Sequence, residues 1–158
     1  MITIVPEASP ATPRQIRFAR LGAVLARGVV AGEVEATDAL RVLRHELRRM
    51  NVNRALYAPF RSVGAQAAID RYAAAGTTIP KNGSDDSLHC DHVNALGAHD
   101  LEQLTTVESW LDALPDLTAV VCVTAAENYS LEQIERTGVT GWAKYEGAGI
   151  TVEPTAMR

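Results

Sequence analysis

Thr118-Ala119-Val120-Val121-Cys122-Val123-Thr124-Ala125-Ala126-Glu127-Asn128 changes character in its middle. Residues 118–123 are apolar and rich in β-branched side chains, the composition of a buried strand. Thr124 then opens a helix, because a threonine followed three residues later by glutamate forms a reciprocal capping box. Leu131 and Ile134 give that helix an apolar side, and Gly138 is placed to end it.

Upstream, Ser87 to Val93 reads as a short strand that follows a turn cluster, Lys81 to Asp86. Between the two strands, Leu104, Val107, Leu111 and Leu114 recur at helical spacing, so a helix is expected over 101–114, broken by Pro115-Asp116. Downstream, Gly141 to Tyr145 has room for one short helical turn.

The first half of the chain has only helical periodicity. Thr12, Pro13 and Gln15 open a helix that runs to about Arg27. Thr37-Asp38 opens a second, ending near Met50, with Leu40, Leu43, Leu47 and Met50 on one face. A third is expected after Pro59, stopping at Gly76, with residues 51–58 as a connector. The expected architecture is α+β and mostly α. A loose segment, 1–11, leads into a helical region, 12–76. A strand–helix–strand–helix region, 77–158, follows.

Composition narrows the classes. Of 158 residues, 47% are hydrophobic, enough for a core, but only 5% are aromatic. No run of about 18 uncharged apolar residues is present, so no membrane span is expected. Two cysteines and no CxxC pair point to a reduced, cytoplasmic protein without a four-cysteine zinc knuckle. Charge is unevenly spread along the chain. Residues 1–81 carry 12 of the 15 Lys and Arg but 6 of the 19 acids, and the rest of the chain has the opposite bias. A basic first half suggests contact with phosphate backbones, and Arg41, Arg44, Arg48 and Arg49 form its densest run.

The string Leu88-His89-Cys90-Asp91-His92-Val93, followed by a strand and a capped helix carrying Asn128, resembles the HNH, or ββα-metal, endonucleases. The asparagine is similar to the endonuclease VII branch. The resemblance covers roughly residues 77 to 137. It implies a small ββα-metal motif, here with a helix inserted between its two strands, and metal-dependent hydrolysis of phosphodiester bonds, with DNA the favoured substrate over RNA. In that reading His92 is the general base, and Asp91 and Asn128 hold one divalent cation, Mg²⁺ or Mn²⁺. His89 would contact phosphate or support the site from behind, and Lys144 would touch nucleic acid. The motif's middle asparagine has no clear counterpart, and the spacing from His92 to Asn128 is longer than the family's. The alternative is a non-catalytic DNA-binding or adaptor protein that keeps an HNH-like shell. Two lesser readings are a zinc site formed by Cys90 with His89, His92 and His99, and a hydrolase using Cys90 as nucleophile.

Overall fold

The structure, a computed structural model, describes residues 9–50 and 55–156. It is α+β and mostly helical. The expected loose segment 1–11 lies outside the described residues as far as residue 8. The described chain forms two compact units: residues 9–46 with 100–114, and residues 47–50 and 55–99 with 115–156.

The first unit is built on α1 (Pro13–Val30) and most of α2 (Ala36–Met50). α1 starts where its sequence says. The Gln15 backbone N–H donates to the Thr12 hydroxyl at 3.2 Å, and the Gln15 side chain accepts from the Thr12 backbone at 2.9 Å. The segment 100–114 adds a 3₁₀ turn (Leu101–Gln103) and the first part of α4 (Val107–Leu117). Trp110 is its anchor. The ring meets Phe18 edge-on at 5.7 Å, and its N–H donates to the Leu104 carbonyl at 2.5 Å. Gly22 makes this possible, because a Cβ there would stand 2.5 Å from the Trp110 ring.

That docking corrects the expected division at residue 76. Segment 100–114 brings four acids, so the described part of this unit holds six arginines against eight acids. The charge bias along the sequence is not a charge bias of the folded unit. Basic surface survives locally, on α1 at exposed Arg14, Arg17 and Arg20, and on α2.

The second unit holds a four-stranded sheet in the order β2-β3-β1-β4. The strands are β1 (Phe60–Ser62), β2 (Leu88–His92), β3 (Val120–Thr124) and β4 (Val152–Pro154). β2 runs antiparallel to β3, β1 parallel to β3, and β4 antiparallel to β1. The sheet is therefore larger than the two-stranded motif expected, and β1 falls where a helix start was read. Three residues carry little local signal. β1 is held by a partner on each side, and Thr155 closes it by donating from its backbone N–H to the Pro59 carbonyl at 2.9 Å. Pro154, which cannot donate to a ladder, lies on an edge strand.

α3 (Val63–Ala74) leaves β1 directly, and α5 (Ala125–Glu135) leaves β3 directly. Their starts are tied together. Glu127 accepts from the Thr124 backbone N–H at 2.9 Å, completing the capping box, and also from the Ser62 hydroxyl at 2.6 Å. Ser62 in turn caps α3 by accepting from Ala65 N–H at 2.9 Å. One sheet face packs Val121 and Val123 with Val93, with Leu131 of α5 and with Tyr145 of α6 (Ala143–Gly147). The other packs Val120 and Cys122 against Ala58 and Ala65. α4 continues through Pro115 to Leu117 instead of breaking. The proline sits in the last turn, where one lost hydrogen bond costs less than in the middle of a helix, and Leu117 is fully buried.

Candidate functional site

The strongest cluster of chemistry-bearing side chains forms where the end of β2 meets α6 and the end of α5. Strand alternation turns Asp91 to the face of its register partner Val121, toward Leu131 and Tyr145. Lys144, only 2% exposed at its side chain, reaches into the same place. Its three N–H groups have three acceptors: Asp91 Oδ2 at 2.9 Å, Glu135 Oε1 at 2.6 Å and the His92 carbonyl at 2.7 Å. The Tyr145 hydroxyl donates to the same Asp91 oxygen. Burial first, then the charge of Asp91 and its hydrogen bond, pushes the Tyr145 phenol well above its usual range, so it stays a donor. An ammonium buried this deeply needs such partners, because an unpaired charge in the interior is strongly disfavoured.

Lys144 therefore is not a surface contact for nucleic acid, as the sequence suggested. All its donors are used, and it has almost no exposure. Asp91 is correspondingly its counter-ion.

His92 ends β2 and faces away from Asp91, on the side of its partner Val120. It is half-buried, and burial, with Lys144 and Arg48 acting the same way, holds its imidazole below the ordinary value against the pull of Asp91. The ring is neutral at neutral pH. Asn128 lies in the first part of α5 and donates to Glu132 Oε1 at 3.4 Å, one turn along the same helix. His89 is exposed on β2.

These residues do not fit a divalent cation. A hard cation needs several unneutralised oxygens converging on one point. Asp91 Oδ2 instead carries a cation and a phenol, and Asn128 binds within its own helix. Among the described residues no group of three or more His, Cys, Asp or Glu side chains is placed to hold a metal ion, which also counts against zinc at Cys90, His89, His92 and His99. Burial raises the Cys90 thiol and keeps it protonated at neutral pH, which counts against a hydrolase that uses it as nucleophile.

On α2, Arg41, Arg44, His45 and Arg48 share one exposed face, opposite buried Ala39, Leu43 and Leu47, with Arg49 exposed at its border. Arg41 pairs with Asp38 at 3.2 Å, both highly exposed. This arginine run stands where the sequence placed it.

The sequence reading missed Glu135 and Tyr145 as partners of Asp91 and Lys144, and Ser62 as a partner of Glu127. Tyr145 with Asp91 and Ser62 with Glu127 join distant segments, and Glu135 meets Lys144 across the turn between α5 and α6, so no local periodicity announces them. Set against protein-family models, curated proteins and solved structures, the chain matches none. No helix among the described residues is long and apolar enough to cross a membrane.

Proposed function

We propose that this chain binds nucleic acid, DNA in preference to RNA, through the arginine face of α2, and that its strand–strand–helix frame is a non-catalytic shell similar in outline to the HNH endonucleases. The observation that carries the reading is the state of Asp91. The carboxylate that would have to hold the metal is the internal counter-ion of a buried lysine. Removing that role to free it for a cation would leave the buried ammonium with only the half-exposed Glu135 carboxylate and the His92 carbonyl. The binding half of the proposal rests on the exposed arginines, whose guanidinium groups suit bidentate contact with phosphate.

A second reading, a divergent metal-dependent nuclease, has one observation in its favour. His92 is neutral and half-buried at the end of β2, as a general base would be.

One experiment addresses both. Affinity for a labelled DNA duplex is measured over a range of salt, and supercoiled plasmid is incubated with Mg²⁺ or Mn²⁺, with and without EDTA. The expected result is salt-dependent binding without nicking. The Arg44→Gln/Arg48→Gln variant should reduce the salt slope by roughly 2, close to 0.9 for each phosphate that is no longer neutralised. An unchanged slope, or no binding at low salt, removes the nucleic-acid reading. Metal-dependent nicking that disappears in His92→Ala would establish the nuclease instead.

A further inference from the structure

Cys90 and Cys122 are direct register partners across the antiparallel strands β2 and β3. Their side chains lie on the same sheet face and in the same core cluster, with Ala58, Ala65 and Val120. The phase of the ladder decides what kind of pair they are. Val93 N–H donates to the Ala119 carbonyl at 3.0 Å, and Ala125 N–H to the Ser87 carbonyl at 2.7 Å. Hydrogen-bonded pairs alternate along an antiparallel ladder, so they fall at 87/125, 89/123, 91/121 and 93/119. Cys90/Cys122 is thus a non-hydrogen-bonded pair, the kind with the closest approach, about 4.5 Å between Cα atoms. That separation is inside the range a disulfide spans.

We propose that Cys90 and Cys122 form a reversible cross-strand disulfide, a two-electron redox site at the edge of the sheet. Both cysteines are free thiols in this structure, Cys90 partly exposed on the edge strand and Cys122 buried behind it. The exposure sets the order of events. Burial raises the Cys90 thiol, so the attack needs mildly alkaline solution, where the Cys90 thiolate attacks one sulfur of a low-molecular-weight disulfide, forming a mixed disulfide and releasing one small thiolate. The Cys122 thiolate then attacks the Cys90 sulfur and expels the second. The protein dithiol loses two electrons and two protons, and the small disulfide becomes two thiols. Burial pushes the Cys122 thiol up to about 11, while the guanidinium of Arg61, its register neighbour on β1, works in the other direction. The second step is therefore the slow one, and mildly alkaline solution speeds it. The bond would join β2 to β3 covalently and close the loop that contains α4.

The test uses the whole reduced chain, equilibrated with excess oxidised glutathione at mildly alkaline pH and quenched with acid. Intact mass and unreduced peptide mapping are read together with the far-ultraviolet spectrum. The expected product has lost two hydrogens, contains a peptide linking 90 to 122, keeps the native spectrum and reverts with dithiothreitol. The Cys122→Ser variant should stop at one glutathione on Cys90. The proposal is overturned by wild-type protein that stays at the reduced mass, retains glutathione on Cys90, links two chains, or forms the 90–122 bond only with loss of the native spectrum.

Discussion

Replacing Lys144 with methionine isolates what the buried ion pair contributes. The Lys144→Met side chain fills much the same volume, so the change deletes charge and donors more than packing. Three acceptors lose their partner at once: Asp91, Glu135 and the His92 carbonyl. They do not suffer equally. Glu135 is 41% exposed and turns to water, so its share is well under about 1 kcal/mol. Asp91 is only 13% exposed and keeps just the Tyr145 hydroxyl, so it becomes a poorly compensated buried charge. Breaking one side of such a pair costs about 3–5 kcal/mol, and the partial exposure of Asp91 puts the expectation at the lower end, about 3 kcal/mol. In a chain of this length that corresponds to a fall in Tm of roughly 6–12 °C. Urea unfolding followed by circular dichroism measures it, with the slope checked so that a change in midpoint reports stability. The double variant Lys144→Met/Asp91→Asn should recover part of the loss, because the orphaned charge is gone while Tyr145 keeps an acceptor. A loss under about 0.5 kcal/mol in Lys144→Met would refute the reasoning, showing Asp91 already solvated.

Two further outcomes follow from the same structure. Gly22→Ala places a Cβ where the Trp110 ring lies, so it should cost about 1–3 kcal/mol and alter the near-ultraviolet tryptophan signal; an unperturbed signal with unchanged stability would contradict that packing. His92 is held below its unfolded value of 6.5 by burial, so the folded state resists its protonation. The stability it contributes is whole above pH 6.5 and is lost as pH falls through that value toward the folded one. Wild type should thus lose stability more steeply than His92→Gln between neutral and mildly acidic pH, and parallel pH curves would show that the ring is not buried as described.

The features legible in the sequence are those whose physics is local. The capping boxes at Thr12/Gln15 and Thr124/Glu127 form within four residues, and both appear where the pattern put them. The apolar β-branched run became β3, every residue of it buried, and the arginines of α2 remained outward because Leu43 and Leu47 face the interior. Glu127 shows the limit of such reading. Its cap was visible, but its second bond, to Ser62, depends on β1 lying beside β3.

Tertiary structure decided everything that depends on a partner far along the chain. β1 and β4, three residues each, are strands because they pair, not because their residues prefer it. Segment 100–114 docks on α1 through Trp110 and brings four acids into the unit, so the unit is not net basic as the linear charge count implied. Lysine is ordinarily a surface residue, so Lys144 was read as one. Asp91, 53 positions earlier, turned it into a buried cation and was itself withdrawn from metal ligation. Cys90 and Cys122 were visible as two thiols on two strands, but only the register of the ladder made them neighbours. By itself the sequence determined which segments form most of the helices and the two long strands, because capping and periodicity act over a few residues. The fold alone determined which charges and thiols meet, because that depends on strand order, register and burial, none of which is written in any local stretch.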